Sequence, residues 1–232
     1  MDRTKLQPLV DLGNNSVLGY EVLSDIKNMA AYPSALDVIK NIFIGHDDIA
    51  QFFINMTAKD AASENFAELF LDILNGSNIN GKRIVLEVSE YTHPEHISKV
   101  KRNLSLLRSH GIKIALDDFG TQYSGLSFLK DLPVDIVKID QNFVQEAPSS
   151  KKTRTLLTLC TKIFHDFDCR VVAEGIETID QLECVKNASI DIGQGFLFTV
   201  LPKHPGQKSN PFIYAYEIAI YNPTINLVAI NL

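Results

Sequence analysis

Short apolar runs alternate with longer stretches of helical periodicity along most of the chain. The apolar runs are rich in β-branched residues, as buried strands are. They cover residues 6–12, 17–23, 51–56, 84–88, 114–116, 136–137, 170–174 and 190–198. Apolar positions recur at the spacing of one helix face in residues 34–43, 61–74, 94–110, 126–129, 156–164 and 179–185. The pattern therefore predicts strands that alternate with helices.

Turn and capping residues refine this pattern. Only Gly13-Asn-Asn-Ser16 separates the first two predicted strands, which indicates a hairpin-like opening. Ser34 is placed to cap the first helix, and Asn75-Gly76 is placed to end the second.

Polar residues at the strand ends decide how the strands are arranged. Alternating strands and helices favour a parallel sheet, which closes into a barrel when seven or eight units are present in roughly 250 residues. In an open sheet only one crevice gathers ligands, whereas all strand ends of a barrel meet at one mouth. The polar strand-end residues are Glu21, Asn55, Glu87, Asp117, Lys138, Glu174 and Gln194. We therefore predict an α/β fold, a modified TIM-type (β/α)8 barrel in a single domain.

Composition excludes several functional classes. The chain has 232 residues, 45% hydrophobic content and a formal net charge of −6, which fits a globular domain and argues against a nucleic-acid-binding surface. Cys160, Cys169 and Cys184 lack metal-ligand spacing, and the first residues lack a signal region, so we expect a cytoplasmic location. No apolar run approaches the roughly 20 residues that would span a membrane.

The polar residues at the predicted mouth suit divalent cations. Adjacent carboxylates such as Asp117 and Asp118 repel each other and resist desolvation, so they need a cation or a shared proton. Oxygen ligands favour Mg2+ or Mn2+, and zinc is disfavoured because no histidine or cysteine joins the set. The oxygen-bearing residues are Glu21, Asn55, Glu87, Asp117, Asp118 and Glu174. Two ions roughly 3.5–4 Å apart suit phosphodiester hydrolysis, with Lys138 to orient water and offset phosphate charge.

Ordered motifs along residues 7–202 resemble one family. The motifs are Gly19-Tyr-Glu-Val-Leu23, Asn55-Met-Thr57, Leu86-Glu-Val-Ser-Glu90, Asp117-Asp-Phe-Gly120, Lys138-Ile-Asp140, Ala173-Glu-Gly-Ile-Glu-Thr178 and Gln194-Gly195. In this respect the chain resembles the EAL-domain phosphodiesterases, which hydrolyse the bacterial second messenger cyclic di-GMP to linear pGpG. The resemblance implies a modified (β/α)8 barrel in residues 1–202 and two Mg2+ or Mn2+ ions as cofactors.

The resemblance also implies a role for each matching residue. The first metal would be ligated by Glu21, Asn55, Glu87 and Asp117, and the second by Asp117, Asp118 and Glu174. The catalytic residues would be Lys138, Glu174, Gln194 and Glu90. Of these, Lys138 and Gln194 would position the hydrolytic water, and Glu90 would pin the loop after Asp118. Cyclic di-GMP would contact Gln7, Leu23, Asp140 and Glu177.

Three of these residues have structural alternatives. Glu90 and Glu177 could serve only the dipole of the helix that each precedes. Lys138 could be a buried ion-pair partner of Asp140, although its position on the same rim favours the site role.

The chain departs from the family pattern at several points. Asp25 stands where the family has an arginine that grips a substrate phosphate, and Gln122 stands where its loop has glycine. The segment between Glu21 and Asn55 looks shorter than the family's. Residues 203–232 do not match, and we expect this segment to pack on the barrel or form a homodimer contact rather than anchor the chain in a membrane.

These departures keep a second function open. The alternative is a degenerate EAL module that binds cyclic di-GMP or a partner protein and acts as a receptor or regulator with weak or no hydrolysis. A more distant alternative is a hydrolase of another phosphodiester, because two metal ions in a barrel indicate the type of reaction more clearly than the identity of the substrate.

We predict that Asp25→Arg lowers the KM for cyclic di-GMP and leaves the products unchanged. An arginine would replace a like-charge repulsion with a charge-assisted hydrogen bond, typically about 1.5–3 kcal/mol, which is roughly tenfold or more in affinity. Steady-state kinetics measures the effect, and Asp25→Asn controls for simple loss of the negative charge. An Arg variant with the wild-type KM would show that this position does not contact phosphate.

Overall fold

Eight strands close into a barrel in the computed structural model, which describes residues 5–23, 29–42, 50–89, 96–121 and 129–198. Neighbouring strands follow one another in chain order, and the last pairs with the first. The strands are β1 Lys5–Asp11, β2 Ser16–Leu23, β3 Gln51–Met56, β4 Ile84–Ser89, β5 Lys113–Phe119, β6 Ile136–Ile139, β7 Arg170–Ala173 and β8 Ile192–Gln194. The predicted α/β barrel is confirmed.

The first strand runs against the others. β1 pairs antiparallel with both β2 and β8, whereas every pair from β2 to β8 is parallel. The predicted hairpin explains this, because a turn of a few residues can join only antiparallel strands. Asp11 Oδ1 holds the turn by accepting hydrogen bonds from the backbone N–H groups of Gly13 and Asn14. As a result the N-terminal half of β1, with Gln7, lies beside the carboxyl ends of the other strands.

The helices follow the predicted order but not all predicted bounds. Those that lie wholly within the described residues are α1 Tyr32–Ile42, α2 Ala58–Ala61, α3 Phe66–Ser77, α4 Ile97–Ser109, α5 Gln141–Glu146, α6 Lys151–Asp166 and α7 Ile179–Asn187. The helix predicted over residues 61–74 is present from Phe66, but its predicted start is wrong, because Ala61 ends the separate helix α2. Asn78, in a left-handed conformation with φ 60°, ends α3, so Asn75-Gly76 lies within the helix. Ser34 likewise lies inside α1 rather than at its start.

Two further elements differ from the prediction. Helix α5 was not predicted, and Asp140 begins it by accepting a hydrogen bond from the N–H of Asn142. The strand predicted over residues 190–198 is shorter, because the chain turns after Gln194 into the 3-10 turn Phe196–Phe198. The predicted features at Asp25, Glu90, Gln122 and residues 126–128 and 203–232 lie outside the described residues, whereas Leu129, the last residue of the helix predicted over 126–129, is helical and buried.

Apolar side chains pack in two layers. Seven buried residues fill the barrel interior, and a larger cluster lies between strands and helices. The inner layer consists of Leu9, Phe53, Val85, Ala115, Ile136, Val172 and Ile192. Within the described part of the chain, no helix is both long and apolar enough to cross a membrane.

A buried asparagine joins α4 to the turn after α2. Asn103 is 1% exposed, and its Nδ2 donates hydrogen bonds to the carbonyl oxygens of Ala61 at 2.9 Å and Ser63 at 2.7 Å. This contact stabilises the break between α2 and α3, because the chain there lacks a continuous helical hydrogen-bond ladder.

We predict that Asn103→Ala lowers the free energy of unfolding by about 1–3 kcal/mol, since the variant loses both donors at a buried position. Urea denaturation measures the change. Asn187→Ala, at the exposed end of α7, is the matched control and should stay within about 0.5 kcal/mol of wild type. An Asn103→Ala variant as stable as the control would contradict this account.

Candidate metal centre

Strand alternation places the predicted site residues above the inner apolar layer. Side chains two residues apart on a strand point to the same face. Accordingly Val85 precedes Glu87, Ala115 precedes Asp117, and the same spacing relates other inner-layer residues to their strand-end polar residues. In β2 the corresponding position is Gly19, where a Cβ atom would lie 2.1 Å from the carbonyl oxygen of Gln51. The polar ring therefore closes the barrel at the carboxyl ends of β2–β8.

Lys138 lies at the centre of this ring. Its Nζ is 2.7 Å from Glu87 Oε1, 2.8 Å from Glu174 Oε1, 3.1 Å from Asp117 Oδ1 and 3.6 Å from Glu21 Oε2. The side chains of Lys138 and Glu87 are 1% and 0% exposed. Four strands thus bring their acids to one buried ammonium group.

Amide side chains complete one edge of the ring. Gln194 Nε2 donates to Glu21 Oε2 and, at 3.1 Å, to Gln7 Oε1. Asn55 Nδ2 donates to Glu21 Oε1 at 3.2 Å. The amide nitrogens are therefore committed to neighbours, and the side-chain oxygens of Asn55 and Gln194 are the atoms left to accept or to ligate.

The backbone position of Gln194 depends on the glycine that follows it. Gly195 has φ +155°, and a Cβ atom there would lie 2.2 Å from the carbonyl oxygen of Ile176. This close approach lets the Ile176 N–H donate to the Gln194 carbonyl oxygen at 3.0 Å. Gly195 thereby ties β8 to the loop that begins with Glu174.

A bulge lets two successive aspartates serve one site. In a regular strand Asp117 and Asp118 would face opposite sides, but the β5–β6 register shifts between Leu116 and Phe119. Asp118 adopts φ 56°, a left-handed conformation that aspartate tolerates better than bulkier residues. As a result, carboxylate oxygens of Asp117, Asp118 and Glu174 lie within 4.8 Å of one another.

The ring carries more negative charge than Lys138 neutralises. Burial raises the pKa of Glu87 well above its usual value and that of Glu174 to about 7, although Lys138 acts in the opposite direction. Burial and the adjacent Asp117 also raise the pKa of Asp118. Burial alone would lower the pKa of Lys138, but the surrounding carboxylates outweigh it and raise that pKa well above its usual value. The ring is therefore electrostatically suited to additional cations.

The residues fit a divalent cation site. Glu87 Oε2 and Gln194 Oε1 are buried without a hydrogen-bond partner among the described residues, which is costly unless a ligand satisfies them. The ligating atoms that the ring offers are carboxylate and amide oxygens, which Mg2+, Mn2+ and Ca2+ prefer. The predicted metal ligands Glu21, Asn55, Glu87, Asp117, Asp118 and Glu174 are thus all at the mouth, although their roles as ligands stay a prediction.

The other predicted residues lie around the ring. Gln7 joins it through Gln194, whereas Leu23 is 39% exposed at the end of β2. Asp140 caps α5, and its carboxylate is absent from the ion pairs that Lys138 forms within the described residues. Glu177 is exposed, and its backbone N–H donates to Gln181 Oε1. Substrate contact by these four residues stays a prediction.

Sequence patterns alone missed the bonds that organise the ring. The Gln7–Gln194 hydrogen bond follows from closure of β1 against β8, which is a long-range pairing. The bulge at Asp118 had one signal, because two acids in succession cannot both face one side of a regular strand.

Fold and site together define an eight-stranded α/β barrel with a buried, all-oxygen centre suited to divalent cations. The sequence matches the EAL domain over residues 34–200, and the chain belongs to the EAL domain family. The family match begins after Glu21, so the barrel geometry is what places Glu21 and Gln7 in the same ring.

Known proteins resemble this chain in sequence and fold. Cyclic di-GMP phosphodiesterase PdeA of Borreliella burgdorferi is 33% identical over 156 residues, or 67% of this chain and 23% of that protein. The EAL domain of Mycobacterium smegmatis DcpA has a TM-score of 0.78 and 26% identity, covering 84% of this chain and 88% of that one. Klebsiella pneumoniae BlrP1, in a complex with calcium and cy-diGMP, has a TM-score of 0.75 and 25% identity, covering 85% and 55%. The chain spans 18% to 42% of the length of the first three curated relatives it matches.

We predict that Asp118→Asn retains the stability of the metal-free protein, whereas Asp118→Val lowers its free energy of unfolding by about 1–2 kcal/mol. Asparagine tolerates the left-handed backbone, but a β-branched side chain clashes with it. Asparagine also removes a carboxylate whose ionised form is disfavoured beside Asp117. Denaturation in the presence of a chelator measures both variants, and equal stability of the two would contradict the bulge geometry.

Proposed function

We propose that this chain is a cyclic di-GMP phosphodiesterase that hydrolyses cyclic di-GMP to linear 5'-pGpG with two Mg2+ or Mn2+ ions. The observation that carries the proposal is the buried ring in which Asp117 lies between two groups of oxygen ligands. The named activity of the Borreliella burgdorferi relative and the calcium and cy-diGMP complex of BlrP1 support it.

Two groups of residues would hold the ions. Glu21, Asn55, Glu87 and Asp117 would ligate one, and Asp117, Asp118 and Glu174 the other. When bound, the ions would supply positive charge that stabilises the phosphodiester transition state and activates the attacking water. The Asn55 side-chain oxygen is available for this role because its Nδ2 is bonded to Glu21.

Lys138 and Gln194 would orient the water. The Lys138 ammonium can donate hydrogen bonds to water or to phosphate oxygen, and its burial strengthens these contacts. Gln194 Nε2 is occupied by Glu21 and Gln7, so Gln194 Oε1, which is buried without a partner among the described residues, would accept a hydrogen bond from the water. Lys138 would thus donate a hydrogen bond to the water, and Gln194 Oε1 would accept one from it.

Residues around the ring would bind the nucleotide. Gln7, Leu23, Asp140 and Glu177 would contact cyclic di-GMP, and Glu90, outside the described residues, would pin the loop after Asp118.

We place this activity in the cytoplasm, because Cys160, Cys169 and Cys184 are all free thiols. We assign no nucleic-acid partner, and a homodimer contact through residues 203–232 stays part of the proposal.

The second candidate is a cyclic di-GMP receptor with weak or no hydrolysis. Asp25 and Gln122 favour it, because both replace residues that the family uses near substrate or in the loop after Asp118. The two candidates share the binding site and differ in turnover.

We predict that Asp117→Asn reduces hydrolysis at least about 100-fold and leaves the fold intact, because the charge that both ions would share is lost. Chromatography of products after incubation with cyclic di-GMP and Mn2+ measures turnover. Asp180→Asn, in the exposed first turn of α7, is the control and should keep full activity. Near-normal turnover by folded Asp117→Asn would refute the assignment, and wild type that binds cyclic di-GMP without product would favour the receptor.

A further inference from the structure

The ammonium group of Lys138 contacts both predicted metal subsites. Glu21 and Glu87 belong to the first subsite, Glu174 belongs to the second, and Asp117 is shared. We infer that Lys138 is the internal cation that holds these carboxylates together in the metal-free protein, and that divalent ions bind by exchange with it. This inference rests on the metal binding proposed above and adds a role for Lys138 before substrate arrives.

Burial explains why an internal cation is needed. The Glu87 carboxylate is fully buried, and the Glu174 and Asp117 side chains are 18% and 15% exposed. Carboxylates this close in a medium of low polarity repel one another strongly unless a cation lies between them. Lys138 is the one described cation within 4 Å of these three acids.

A divalent ion would compete with the ammonium group for the same carboxylates. Lys138 Nζ lies 2.7 Å from Glu87 Oε1 and 3.1 Å from Asp117 Oδ1, and a carboxylate that ligates an ion at about 2.0–2.6 Å attracts the ammonium group less strongly. The Lys138 ammonium group has three N–H donors, and four carboxylates already surround it, so it has no donor to spare for a further acceptor. Metal binding would therefore weaken some of these contacts, and N–H groups of Lys138 would become available to other acceptors.

Charge balance keeps Lys138 in the site after the exchange. With all groups ionised, five carboxylates and one ammonium group carry a net charge of −4, which two divalent ions would neutralise. The five are Glu21, Glu87, Asp117, Asp118 and Glu174. Lys138 then needs only to shift within the site, and its freed protons can turn toward water or phosphate. Metal loading would in this way place the lysine for the reaction.

The test measures Mg2+ affinity without nucleotide. Lys138→Met is compared with wild type by isothermal titration calorimetry, and thermal melting in a chelator reports the metal-free protein. Lys186→Met, at the opposite end of the barrel beside Asn15, is the matched control. We expect Lys138→Met to melt at a lower temperature in the chelator and to bind Mg2+ at least fivefold more tightly, because no internal cation competes. A gain below fivefold, or weaker binding, would overturn the inference.

A second measurement uses the wild-type protein and decides the question if Lys138→Met does not fold. Lysine side-chain NMR, assigned with Lys138→Arg, should show a Lys138 signal that shifts in proportion to added Mg2+. A signal unchanged at saturating Mg2+ would overturn the inference. Cyclic di-GMP hydrolysis by wild type is assayed in parallel. If wild type hydrolyses cyclic di-GMP but the calorimetry or the NMR result contradicts the inference, only the exchange is rejected. If wild type neither binds Mg2+ nor hydrolyses cyclic di-GMP, the proposed function is rejected as well.

Discussion

The buried contact between the Lys138 ammonium group and four carboxylates is the interaction on which the rest of the site depends. Each acid comes from a different strand, so the contact exists only when the barrel is closed with its observed register. Removing one partner of a buried ion pair typically costs about 3–5 kcal/mol. The stability of the closed barrel is therefore coupled to the assembly of these charged side chains. The apolar layer directly beneath the ring keeps water from screening these charges from below.

Much of the fold could be predicted because its signals are local. An apolar residue two positions before an acid, as in Val85 and Glu87, indicates a strand with both side chains on its inner face. The apolar residue then lies in the barrel core and the acid at the mouth. The short turn before Ser16 likewise required an antiparallel first strand. The site residues were recognised for the same reason, since each lies at a strand end and in a motif.

Features that depend on tertiary contacts could not be predicted in this way. The break between α2 and α3 depends on Asn103, which comes from another helix. The bulge at Asp118 depends on pairing with β6, and the early end of β8 depends on the approach of Gly195 to Ile176. The local pattern permitted a longer helix and a longer β8, and apart from the two successive acids it carried no sign of where β5 becomes irregular; in each case a neighbour distant in sequence contributes to the observed structure.

We have proposed that this ring binds two divalent ions that share Asp117. Anomalous diffraction at the manganese edge, from crystals grown with Mn2+ and cyclic di-GMP, tests it most directly. We expect two peaks, one contacting Glu21, Asn55, Glu87 and Asp117, the other contacting Asp117, Asp118 and Glu174. A map with no manganese peak at the mouth, or with ions that do not contact Asp117, would contradict it.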